Sequence, residues 1–71
     1  MDLVTLLGRN VRTWRLERGM SQEQLALEAG MKRSYVSELE RGLRNPTVRA
    51  LGRLADALTI DPAELLRPDS N

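Results

Sequence analysis

The chain has 71 residues, 11 Lys and Arg against 10 Asp and Glu, a net charge of +1, no Cys and no His. That is room for one domain, and it excludes a disulfide framework, a thiolate metal site and the commonest general base. No apolar run approaches the roughly 18–20 residues of a membrane span and no basic n-region opens the chain, so a small soluble cytoplasmic domain that binds a partner is expected, without enzymatic activity, metal or cofactor.

The apolar residues are mostly Leu and Ala, with one Trp, one Tyr and no Phe, a composition that favours helix over strand. A first helix is expected from Asp2 or Leu3. There Leu3, Leu7, Val11 and Trp14 recur at spacings of four and three and make one apolar stripe. Gly19 ends it. Ser21 then reads as the N-cap of a second helix, with Gln24 closing a capping box and Met20 and Leu25 placed as a hydrophobic staple. That helix runs to about Ala29, and Gly30 stops it ahead of a short turn. The third helix starts at Lys32 or Arg33 and ends at Gly42, with Val36 and Leu39 as its inner face. Thr47 caps a fourth, on which Val48, Leu51, Leu54, Ala55 and Leu58 are expected to face inward. Asp61-Pro62-Ala63-Glu64 supplies an N-cap, a proline at the first helical position and a Glu to close the box of a short fifth helix carrying Leu65 and Leu66. The reading is all-α: one compact five-helix domain over 1–67 and a flexible tail over 68–71.

The small net charge hides a segregation. Residues 1–30 are neutral. Residues 31–53 set six cations against Glu38 and Glu40, a net of +4, and residues 54–71 come to −3. A local basic surface of this kind can bind phosphates although the whole chain is nearly neutral. A core of this size contributes only ~3–5 kcal/mol, so with staples excluded, idealised helix packing or oligomerisation must supply the rest.

Helices two and three are separated by about three residues. Leu25, Ala29, Val36 and Leu39 anchor them, Ala26 is small where they approach and Gly30 sits where the chain turns. This pattern resembles the helix-turn-helix of the Cro and lambda-repressor-like, or XRE, family. The resemblance extends to Leu7-Gly8-x-x-Val11-Arg12-x-x-Arg15, Gly19-Met20-Ser21-Gln22-Glu23-Gln24-Leu25-Ala26, Glu40-Arg41-Gly42-x-Arg44-Asn45-Pro46-Thr47, Leu54-Ala55-x-Ala57-Leu58 and Asp61-Pro62-x-Glu64-Leu65-Leu66, and spans roughly residues 6–66.

The resemblance implies a sequence-specific DNA-binding transcriptional regulator of bacterial or phage type. It would bind a palindromic operator as a homodimer, with the recognition helix, about 32–41, in the major groove. On that helix Arg33, Ser37 and Arg41 share a face by i, i+4 spacing, with Ser34 and Glu38 beside them. Carried over by position, Lys32, Arg33, Ser34 and Glu38 are the candidate base readers. Arg33 leads, because its planar fork matches guanine O6 and N7. Glu38 either accepts from a cytosine amino group or simply pairs with Arg41 or Lys32. Gln22, Tyr35, Ser37, Arg41, Arg44 and Asn45 are the candidate contacts to the DNA backbone. Tyr35 could instead pack at the edge of the core, and Arg44 could reach a groove.

Arg15 lies four residues after Val11 and Glu40 four after Val36, so both charges turn inward and are expected to meet as a structural ion pair. Trp14 is expected to fill the core. By analogy with the family, Ile60, Leu66 and the loop before the fifth helix form the dimer patch. No small-molecule effector and no membrane are expected. Relatives of this kind include phage repressors, restriction–modification controller proteins and antitoxins, so a toxin or other protein partner stays open beside double-stranded DNA.

Overall fold

Every helix but the third begins where a side-chain oxygen takes an early N–H group. In the computed structural model, which describes residues 2–68, the chain forms α1 (Leu3–Glu17), α2 (Gln22–Ala29), α3 (Arg33–Glu40), α4 (Val48–Leu58) and a final 3₁₀ helix, Pro62–Leu66. Asp2 accepts from the Val4 N–H, Ser21 from Gln24, Thr47 from Ala50 and Asp61 from Ala63, at 2.9–3.2 Å. Among the described residues there is no strand, and no helix is long and apolar enough to cross a membrane. The expected tail lies, apart from Pro68, outside the described residues.

The four α-helices end alike. A residue one or two beyond each helix donates its N–H to the carbonyl three residues before it. Gly19 bonds to Leu16, Gly30 to Leu27, Gly42 to Leu39 and Thr59 to Asp56, and each following residue bonds to the carbonyl one residue further back, at Arg15, Ala26, Glu38 and Ala55. This closure needs a left-handed residue and usually takes glycine there. The first three ends obey, with φ of 68–77°, while the fourth puts the β-branched Thr59 at φ 59°. The residues that follow are Met20, Met31, Leu43 and Ile60, the apolar partner such ends favour.

The fifth segment is not an α-helix. Asp61 and Pro62 start it as expected, but it has only five residues, and its last carbonyls are taken from outside: Asn10 Nδ2 donates to both the Leu65 and Arg67 oxygens at 2.9 Å. Glu64 turns to Arg67 at 3.1 Å.

Val11, Leu25, Val36, Leu39, Leu54, Ala55, Leu58 and Leu65 are fully buried and form one core with Leu7, Met20, Ala26 and Ala29. Trp14 packs against this core from the side and lies half-buried beneath the Arg18 guanidinium, 5.2 Å from the ring centroid. Two residues expected inside are outside. Leu3 is 60% and Val48 86% exposed. Both sit in the first turn of their helices, on the side of the apolar stripe but beyond the elements that cover it.

Helix α1 comes very close to the end of α3. At Gly8 a Cβ would run into the Leu39 carbonyl oxygen and lie 3.0 Å from that of Glu40. Arg18 ties the other end of α1 to the end of α4, donating to the Leu58 carbonyl at 2.8 Å and the Thr59 carbonyl at 3.3 Å.

Candidate nucleic-acid interface

Helix α3 is fixed from below by Val36 and Leu39, both with no exposure. That anchoring leaves Arg33 and Ser34 exposed on its first turn, Ser37 and Glu38 half-buried along its flank and Arg41 exposed just past its end. Its start differs from the others. Lys32, exposed and in extended backbone, gives α3 no side-chain cap. The first N–H groups of α3 therefore have no partner within the helix and point along its axis beside Lys32 and Arg33. A helix end with positive partial charge and cations around it suits anionic ligands.

Two depressions flank this turn, the first of them mainly polar. One brings Arg33 to the start of α2, with Ser21, Gln22 and Glu23 in its walls and Arg15 at its floor. The other gathers Lys32, Tyr35 and Asn45 with Thr47 and Arg53. Of the residues proposed from the sequence as base and backbone contacts, Gln22 and Arg33 line the first depression and Lys32, Tyr35 and Asn45 the second, while Ser34, Ser37, Glu38, Arg41 and Arg44 line neither. Among the described residues no group of acidic, His or Cys side chains could hold a metal ion.

Beneath the first depression lies a buried polar cluster. Arg15 grips Glu40 with two hydrogen bonds, Nε to Oε2 at 2.7 Å and Nη2 to Oε1 at 3.0 Å, and donates a third through Nη1 to the Met20 carbonyl at 2.9 Å. The side chains are 9% and 3% exposed. Hydrogen bonding to Glu40 raises the Arg15 pKa against the opposing effect of burial, and Glu40's charge adds to the rise, so Arg15 stays charged at any pH the fold tolerates. Gln22 joins this cluster: its amide Nε2 donates to Glu40 Oε1 at 3.1 Å. The Gln22 side chain is therefore occupied inward, and what α2 turns outward at this point is its backbone N–H groups.

Glu38 pairs with neither Arg41 nor Lys32. Its partner is Arg44, whose Nε lies 2.7 Å from Glu38 Oε1 and whose guanidinium stands 5.4 Å from the centre of the Tyr35 ring. Tyr35 is half-buried, packed against the core on one side and under Arg44 on the other. Of the expected dimer patch, Ile60 is partly buried and Leu66 is exposed. Ile60 packs against the core, whereas Leu66 lines an apolar groove with Leu3, Val4, Pro46, Val48 and Leu51.

Three contacts here escape sequence reasoning: Gln22 to Glu40, Asn10 to the 3₁₀ helix and Arg18 to the end of α4. They join residues 18, 55 and 40 apart, and no local pattern marks them. Gly8 did carry a signal, as a glycine inside a helix, where it costs stability unless something must come close.

The helix-turn-helix family model matches residues 11–65. An uncharacterized HTH-type transcriptional regulator of Sinorhizobium fredii is 44% identical over 68 residues, 96% of this chain and 88% of that protein. Among solved structures, the restriction-modification controller protein C.AhdI from Aeromonas hydrophila is similar with a TM-score of 0.85 and 44% identity, over 87% of this chain and 94% of that one. C.Esp1396I bound to a 25 base pair operator site gives a TM-score of 0.83 at 31% identity, over 92% of this chain and 86% of that one. With its turn between α2 and α3, its matched span and these relatives, the chain belongs to the helix-turn-helix family of transcriptional regulators, of the XRE type.

Proposed function

We propose that the chain is a cytoplasmic, homodimeric, sequence-specific regulator that lays α3 in the major groove of a palindromic operator, with residues 1–67 acting as its single DNA-binding domain. The observation that carries this reading is the first turn of α3. It is uncapped and exposed, bears Lys32, Arg33 and Ser34, and is held rigidly from behind by Val36 and Leu39. A rigid helix presenting a guanidinium and a hydroxyl suits base edges in a groove wide enough for a helix.

In this reading Lys32, Arg33, Ser34 and Glu38 face the bases. Tyr35, Ser37, Arg41, Arg44 and Asn45 meet the backbone, and the start of α2 at Gln22 meets it through N–H groups more than through the occupied amide. The Arg15–Glu40 pair holds α1 against α3 and touches no DNA. The operator-bound relative supports this class of ligand. Leu66, with its neighbours in the apolar groove, is the more exposed half of the expected dimer patch, and Ile60 is partly buried against the core.

The test is selection of bound duplexes from a random-sequence pool at physiological salt, run on the parent and on Arg33→Ala. The parent should enrich a palindrome, and the variant should keep its helical circular dichroism and lose that preference. Enrichment of nothing by the parent would sink the regulator. Equal discrimination by both proteins would remove Arg33 from the reading set.

A further inference from the structure

Arg44 Nε and Glu38 Oε1 meet at 2.7 Å, and three features hold the pair in place. Glu38 lies on α3, on the flank beside Arg33 and Ser34. The Leu43 N–H donates to the Glu38 carbonyl at 2.9 Å, which folds the loop carrying Arg44 back onto Glu38's own backbone. The Tyr35 ring then supports the guanidinium from below. The side chains are 50% and 34% exposed, so the pair stands at the surface that would meet the duplex.

Resting on the function proposed above, this geometry changes what an Arg44–phosphate contact can contribute. A phosphate there replaces a carboxylate already in place, an exchange of one anion for another that gains little. It also leaves Glu38 without its cation next to an anionic groove. That uncompensated charge weakens binding to every sequence alike. It is relieved where a base offers an amino donor, and in the major groove a carboxylate accepts from cytosine N4. We infer that Glu38 is a specificity-determining residue that acts through Arg44. By holding Arg44 it suppresses attachment to arbitrary DNA, and it releases Arg44 to the backbone on duplexes that present a cytosine amino group to its carboxylate. The backbone contact and the base contact are one coupled device.

The test compares the parent with Glu38→Gln and Glu38→Ala, on a random-sequence duplex pool and on the duplex the parent enriches, across a salt series. On the random pool both variants should bind about tenfold tighter. The slope of log affinity against log salt should steepen by about one ion, because Arg44 becomes free to displace a counterion. The ratio of enriched to random binding should fall, the cytosine preference at one position of each half-site should vanish, and the steepening should be lost when Arg44→Gln is added. Unchanged random-pool affinity, slope and ratio would make Glu38 a solvated charge and overturn the inference. Equal weakening on both duplexes would overturn it too, leaving Glu38 a brace for Arg44. A parent that enriches no sequence fails the proposed function itself, which is a different result from a parent that discriminates while its Glu38 variants discriminate equally well.

Discussion

At Gly8 the backbone of α1 lies against the carbonyl oxygens that close α3, and a Cβ would run into the Leu39 oxygen. Those atoms are backbone of the recognition helix, anchored by Leu39 itself, so they cannot swing aside as a flexible side chain would. Gly8→Ala should therefore lower stability by about 1–3 kcal/mol, the usual range for overpacking, against the gain in helix propensity that Ala normally brings. A urea titration checks it, and a variant as stable as the parent would mean that α1 and α3 can separate freely. About two turns further along α1, Arg15 and Glu40 are a buried pair with every polar atom served. Removing one partner strands a charge: Arg15→Met leaves Glu40, at 3% exposure, with the Gln22 amide alone. The expected cost is about 3–5 kcal/mol, much of what a domain this small has. Replacing both, Arg15→Met with Glu40→Leu, should recover a large part, because the net worth of a buried pair is far below the cost of breaking it. Urea midpoints for the three proteins decide this, and a single variant with the parent's midpoint would refute the pair as a structural element.

Among the elements, α4 is the one whose end breaks the pattern set by the other three. Thr59 occupies the left-handed position that glycine fills after α1, α2 and α3, and it is a β-branched residue at φ 59°. Left-handed backbone costs an L-residue about 1–2 kcal/mol, while glycine adds entropy to the unfolded chain. Thr59→Gly should thus stabilise the domain by a net of about 0.5–1 kcal/mol. The carbonyl that receives Arg18 is unaffected, since it belongs to the backbone. A thermal melt that drops in the glycine variant would show that the threonine side chain itself contributes.

The starts and stops of helices are legible in the sequence because they are local. Ser21, Thr47 and Asp61 each need only an N–H two or three residues on, and Gly19, Gly30 and Gly42 only the turn before them. Apolar periodicity also gives the direction of a buried face. It does not say which turns of a helix lie under cover, which is why Leu3 and Val48 share a side with buried residues and are exposed. The fifth segment was legible as a start and not as a type, because Asn10, 55 residues upstream, binds its last carbonyls. Glu38 was legible as an ion-pair partner, but its mate is set by the fold of the loop after α3, which brings Arg44 back over Tyr35.

At the scale of the molecule, the uncovered turns converge. Leu3 at the start of α1, Val48 at the start of α4 and Leu66 at the end of the 3₁₀ helix are 60%, 86% and 39% exposed, and with Pro46 and Leu51 they line one apolar groove. A concentrated apolar patch on a domain of this size marks an interaction surface. The two-fold dimer expected of a palindrome reader needs one self-complementary patch. Asn45 and Thr47 stand at the rim of this groove, but Lys32, Arg33 and Ser34 on the first turn of α3 are not among its walls, so burying the groove against a second copy leaves the first turn of both recognition helices free. Carboxylates placed there would have to be desolvated against apolar surface. Val48→Glu and Leu66→Glu should therefore each convert the protein to a monomer by sedimentation while leaving its thermal melt as a monomer intact, because neither side chain is in the core. Their operator binding should fall at least tenfold, since a single half-site loses the second set of contacts held at high effective concentration. A variant that still sediments as a dimer would place the two-fold contact on another face, and a parent that is monomeric even on its enriched duplex would remove the homodimer altogether.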